Sequence, residues 1–156
     1  MRVYSFRDVT AIIDAEHEVT GFATGDDVIM AERNVDSATS TIGAGGEMML
    51  SVSADKSGKV TFKLLKTSSS NRYLLNRLRE LEVGSSVFRP LNMNVKDVHR
   101  QDVIVGVAGY VTKPPTTKHG EKGAENEWVI NFQQLEMDFG DMMGLGTPSD
   151  TVENLG

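Results

Sequence analysis

The stretch from Asp55 to Glu82 changes its periodicity once, and that change limits what the chain can fold into. Val60, Phe62 and Leu64 alternate with Lys59, Thr61 and Lys63, the two-residue repeat of a half-buried strand. Then Leu74, Leu75, Leu78 and Leu81 recur at helical spacing, on one face of a helix at about residues 70–82. Ser69 or Ser70 is placed to cap its first turn, and Gly84 to end its last. No second segment has this helical repeat, so the expectation is a β-rich fold carrying one packed helix.

Short alternating runs fill most of the remainder. Val9 to Asp14, His17 to Thr24 and Val28 to Asn34 read as strands, the last two separated by the turn signal Gly25-Asp26-Asp27. Ser37 to Ile42 and Met48 to Ala54 follow, on either side of Gly43-Ala-Gly-Gly46, read as a turn. Asp55 to Gly58 reads as a hairpin-like turn into the next strand. Ser85 to Arg89 and Met93 to His99 are short strand candidates. Val103 to Thr112 is apolar on both faces, which implies cover on both sides, in the fold or in an interface, until Lys113-Pro-Pro115 ends it. Thr116 to Asn126 is a long polar loop. In the last strand Trp128, Ile130 and Phe132 share one parity, and Leu135, Met137 and Phe139 the other. The slip falls at Gln133-Gln134, as a β-bulge would place it. The whole reads as one domain over residues 1–156, a β-sandwich or partial β-barrel with one packed helix. Its glycine-rich, acidic tail from about residue 140 is expected to be loose.

A chain of 156 residues can bury a core without disulfides or metal, and this one has no cysteine, as in a reducing compartment. The N-terminal residues lack the apolar run of a signal peptide. The longest apolar run, Val103 to Val111, is about half a membrane helix. A soluble, non-secreted protein without membrane insertion is expected. Net charge is -6, but in blocks: -7 over residues 1–55, +8 over 56–122 and -7 over 123–156. Such blocks suit copies that meet plus to minus, although charged faces can also be merely solvated. The lysines of the basic middle are spread along strands and loops and the whole chain is acidic, which argues against a nucleic-acid-binding surface.

The chemistry of a catalyst is missing. His17, His99 and His119 lie far apart in sequence, without metal-spaced partners. Gly43 to Gly46 lacks the Gly-Lys-Ser/Thr ending of a phosphate loop. Ser68 to Ser70 has no base beside it. Asp26-Asp27, Asp138 and Asp141 are unmatched carboxylates. No cofactor, metal site or catalytic residue is assigned, and no enzyme is expected. Trp128 reads as core. Met48-Met49 reads as ordinary core or as adaptable contact surface, and Met142-Met143 as tail or contact surface.

Three pieces resemble the tail-tube subunits of contractile-tailed bacteriophages. They are Tyr4-Ser-Phe-Arg-Asp8 leading into a strand; Ser40-Thr-Ile-Gly-Ala-Gly-Gly46 with Ser53 to Asn71 and the helix; and Gly123-Ala-Glu-Asn-Glu-Trp-Val-Ile-Asn-Phe132. They span nearly the whole chain, in order. Departures fall in loops: Glu47 after the glycines, Ser69 where the family carries proline, acids at Asp26-Asp27 and a longer acidic tail.

The resemblance implies a non-enzymatic virion protein, assembled in the host bacterial cytoplasm. Its copies would form six-membered rings stacked into a hollow tube. The implied partners are further copies of itself, the sheath, the tape-measure protein, baseplate and terminator proteins, and genomic DNA in transit. Glu127, Asn131 and Gln133, opposite the Trp128 face, are the lumen or interface candidates. Arg72 and Arg79 are the candidates for a helix face turned to sheath or neighbour. A terminator or baseplate-hub ring, and a monomeric β-sandwich binding module, are the alternative readings.

Overall fold

The structure, a computed structural model, describes residues 9–23, 28–84, 86–97, 101–116 and 125–139. In chain order they form β1 (Val9–Ile13), β2 (His17–Val19), β3 (Ile29–Arg33), β4 (Ala38–Ile42), β5 (Met48–Val52), β6 (Gly58–Leu65), α1 (Ser70–Val83), β7 (Leu91–Asp97), β8 (Val103–Val111) and β9 (Glu125–Asp138). Seven strands make one sheet in the order β2-β1-β7-β8-β9-β6-β3, and β4 pairs only with β5. Every ladder is antiparallel.

The alternation read from the sequence sets the registers. β6 and β9 align Val60 with Ile130 and Phe62 with Trp128, so both apolar parities fall on one face. β1 and β7 add Ala11, Ile13, Met93 and Val95 to that face, and Leu74 and Leu78 of α1 pack against it. The chain leaving β2 then crosses to β6. Leu65 N donates to Gly21 O at 2.8 Å, Ala23 N donates to Lys63 O at 3.0 Å, and Phe22 bridges to Leu64. The sheet therefore curls toward closure over the helix, while β2 and β3 remain at its edges. This is the expected mainly-β, one-helix architecture in its partial-barrel form.

Phe132 lies over backbone. It stands opposite Gly58 on β6 and Gly109 on β8. A Cβ built at Gly106 or Gly109 would come within 3.0 Å of the Phe132 ring. These glycines make room for the ring where two ladders meet. The phase slip after Phe132 is real, since Gln133 and Gln134 are both exposed and Leu135 is buried again. Yet β9 keeps one register against β8 through the slip, with Val107 opposite Gln134 and Gly109 opposite Phe132. The strand partner shares the distortion at Ala108, whose φ is 54°. Another register shift lies between β7 and β8, around Leu91 and Met93. On the β6 side Leu135 N donates to Lys56 O, one residue off the register that pairs Gly58 with Phe132, so the slip at Gln133-Gln134 is taken up there as the expected bulge, while β8 follows it.

Three other expectations change. Residues 86–90 form no strand; Val87 N and Phe88 N donate to Gly84 O, a turn closing the helix. Asp55 to Gly58 is no hairpin turn, because β5 and β6 are not paired. There Ser57 N donates to Asp55 Oδ1, and the Ser57 hydroxyl, with help from this backbone bond, holds the Asp55 carboxyl below its usual range. Ser69 is the N-cap residue but makes no capping hydrogen bond; Ser68 Oγ accepts from Ser70 N instead. On β8, Val107 and Tyr110 are exposed in the single chain, which leaves the cover for that side to an interface. The N-terminal Tyr4–Asp8, the Gly25–Asp27 turn, His99, His119, most of the 116–126 loop and the tail from residue 140 lie outside the described residues.

Replacing Gly109 with alanine overpacks this junction. Gly109→Ala is expected to cost about 1–3 kcal/mol, read from the midpoint of urea unfolding at unchanged slope.

Candidate assembly surfaces

The helix is fixed to the sheet by a buried cation. Arg77 follows Leu74 by three residues and precedes Leu81 by four, so it lies on the apolar face, and it is 3% exposed. Its Nη1 donates to Asp14 Oδ2 and, at 2.8 Å, to the Tyr73 hydroxyl. Its Nη2 donates to the carbonyls of Arg89 at 2.9 Å and Pro90 at 3.3 Å. The Glu80 carboxylate stands 3.2 Å from Nε, close enough for an ion pair but not aligned for a hydrogen bond. Asp14 Oδ1 also accepts from Asn92 N at 2.8 Å. One guanidinium thus joins α1, the β1–β2 turn and the entry to β7. Beside it His17 stacks on Tyr73 with centroids 4.0 Å apart, and its Nε2 lies 2.9 Å from Ser70 Oγ. Burial pushes the His17 pKa down.

At the other end of α1, Asn71 accepts from Trp128 Nε1 at 2.8 Å and donates to the carbonyls of Leu65 and Ser68. Trp128 is core, as its spacing implied, and its one polar atom is satisfied. An open groove of about 610 Å³ lies above it, between the start of α1 and Pro114-Pro115.

The surfaces read from the sequence separate into distinct places. Arg72 and Arg79 are exposed on the outer side of α1, away from Arg77. Glu127 and Asn131 stand on the outward face of the sheet, opposite Lys63 and Lys59 of β6. Gln133 is exposed at the kink. Glu136 is held below the usual carboxylate range, first by the Gln134 amide, with help from Arg33 and Lys56. Among the described residues no group of three or more His, Asp or Glu could hold a metal ion. Nor is any described helix long and apolar enough to cross a membrane.

The surface least visible in the sequence is the β4–β5 hairpin. It continues the β3–β6 pair outward: Arg33 opposes Gly58, Asn34 N donates to Ser57 O, and Ser53 N donates to Ser37 O before Ala38 meets Val52. Gly43 N donates to Glu47 O at the tip, where Gly46 takes φ 87°. All ten strand residues are exposed. Because β4 and β5 pair Ala38 with Val52, Ser40 with Leu50 and Ile42 with Met48, one side of the arm is an apolar stripe. Met48, Leu50 and Val52 are 63%, 64% and 81% exposed. Met48 and Met49 are both exposed, so the ordinary-core reading is corrected. Stripes of this kind on a soluble fold mark interaction sites.

The sequence profile of the bacteriophage PhiTE tail tube protein family matches residues 1–140. The chain belongs to this family. A tail tube protein is a structural part of a phage virion's tail, and that is the place and class of this chain's work. No curated protein sequence matches it significantly. Among solved structures, the fold resembles the tube-terminating cap of the anti-feeding prophage, with TM-score 0.61, 7% identity, and coverage of 90% of this chain and 93% of that one. It also resembles a chain of the sheath/tube terminator of an extracellular contractile injection system, PVC, with TM-score 0.62, 8% identity, and 88% and 98% coverage. A chain of the native gene transfer agent virion gives TM-score 0.59 at 12% identity, again with 88% and 98% coverage. At such identities the likeness is one of fold.

The three helix arginines separate by burial. Arg77→Ala is expected to cost about 3 kcal/mol, since it strands Asp14 beside the core. Arg72→Ala and Arg79→Ala should stay within about 0.5 kcal/mol. Urea unfolding of the three variants checks the ordering.

Proposed function

We propose that this chain forms six-membered rings that stack into the inner tail tube of a contractile-tailed phage. The tube is the conduit for DNA and the support on which the sheath assembles. The observation that carries the reading is the β4–β5 arm. A two-stranded ribbon is marginal alone in water, and this one holds its apolar stripe clear of its own core. Another copy is the occupant that a tube supplies in every ring. Covering four or five such side chains, at about 1.5–3 kcal/mol each, is on the scale of the cost of association, about 4–15 kcal/mol. The open edges at β2 and β3 suit the same job, because ring closure would pair or cover them.

In this reading the outward sheet face with Glu127, Asn131 and Gln133 lines the lumen or a subunit contact. Its carboxylates, mixed with Lys59 and Lys63, would let a polyanion slide past with little net attraction. Arg72 and Arg79 face the sheath or a neighbour. The tape-measure, baseplate and terminator proteins are the other tail partners.

A second reading, a terminator ring that does not polymerise, draws on one observation. Fold similarity to a sheath/tube terminator, at TM-score 0.62, is as high as to a sheath-tube complex, at 0.58. Filament length separates the two. A monomeric binding module is disfavoured by the exposed arm.

Negative-stain images of the purified protein over a concentration series should show hollow tubes or six-fold rings. Met48→Glu with Leu50→Glu should abolish them while leaving the unfolding midpoint within about 0.5 kcal/mol of the parent, since neither side chain is in the core. Tubes that persist in this variant would remove the arm from assembly. Arg72→Glu with Arg79→Glu should leave bare tubes intact and weaken co-sedimentation with sheath protein at least tenfold. Failure of the tubes themselves would assign that face to the ring or stack.

A further inference from the structure

The groove above Trp128 is not used by the fold. Its walls are Leu75, Pro114 and Pro115, Trp128 lies at its floor, and Lys66 and Arg72 stand at its rim. Arg72 is exposed and among the described residues forms no ion pair. Glu125 and Glu127 line a separate, smaller depression beyond the prolines. Apolar walls under cationic guards suit a peptide that carries apolar side chains next to a carboxylate.

The chain beyond β9 supplies such a peptide. Beyond β9 it runs Phe139-Gly-Asp-Met-Met-Gly-Leu145, part of the block over residues 123–156 that carries no base. Methionine adapts to irregular apolar walls and makes favourable contacts at the edges of aromatic rings. We propose that the Asp141–Leu145 segment of one copy docks in the Trp128 groove of another, with Met142 or Met143 between Leu75 and the prolines and Asp141 toward Arg72.

The geometry favours a second copy over the same chain. The groove lies at the start of β9, beside Asn126, whereas the segment leaves from the end of β9, after Asp138. Twelve strand residues separate these ends by about 40 Å. Met143 follows Asp138 by five residues, which span at most about 18 Å when fully extended. It cannot return to its own groove. A copy placed head to tail along the β9 direction offers its groove to the segment where it emerges. The contact would then tie together copies already stacked along one axis without being needed for the stack, and it is independent of the apolar arm.

The proposal rests on the tube reading for its second copy, and its test separates the two. The chain has no cysteine, so Ser69→Cys with Met143→Cys introduces only the reporting pair. Ser69 lines the groove, is exposed and makes no capping bond. Mild oxidation of assembled full-length protein should give a ladder of disulfide-linked multimers on non-reducing gels. Asn94→Cys with Met143→Cys, which places the first thiol on the outward sheet face, should give at least fivefold less. Arg72→Glu in the reporting pair should cut the ladder several-fold, and Asp141→Arg added to it should restore the yield. Tubes or rings with no ladder above the Asn94 control overturn the docking and leave the tube reading intact. A disulfide confined to monomers overturns the second-copy assignment. Absence of any assembly overturns both.

Discussion

The fold depends on the register between β6 and β9. Two strands far apart in the chain must align so that Val60 meets Ile130 and Phe62 meets Trp128. A slip of one residue would turn every apolar side chain of one strand toward water. The pairing also places Phe132 against Gly58 at the point where β9 passes into its kink. From there Arg33 reaches across, its Nε donating to Leu135 O at 3.0 Å and its Nη2 to Glu136 Oε2 at 2.9 Å. The position of the β3 edge, and hence the base of the arm, follows from that alignment.

The helix is held differently. Leu74 and Leu78 supply apolar burial, but burial alone does not fix how a short helix is rotated on a sheet. Arg77 does so, because its planar donors find Asp14, the Tyr73 hydroxyl and two backbone carbonyls at the same time. Removing one member would leave polar groups buried beside the core. The network therefore specifies orientation more than it adds net stability.

Local periodicity was legible where both its causes are local. Val60, Phe62 and Leu64, and the leucines of α1, could be placed from spacing alone, and Trp128 fell on the buried parity of its strand. Spacing could not show which strand pairs with which. Met48 to Val52 alternates like any half-buried strand, so only the topology reveals that none of the described residues covers it. Arg77 was passed over because a charged residue is ordinarily assigned to solvent, although its spacing from Leu74 and Leu81 put it on the packed face. The slip at Gln133 was visible, but its accommodation was not, since that involves Ala108 on a neighbouring strand. Glu127 and Asn131 share an outward face as their parity required. The lumen proposed for that face depends on other copies, which one chain's spacing does not show.

The arm grows out of the β3–β6 ladder with hydrogen bonds at each step of its base, from Asn34 and Ser57 to Ser37 and Ser53. It is thus shaped before it meets anything. A preorganised projection need not fold at the moment of encounter, so little of its contact energy is lost to ordering. Growth of an assembly built on it would be limited by how often two bodies collide in the right orientation. Salt, concentration and the charge blocks along the chain would then set the pace of growth more than any conformational step.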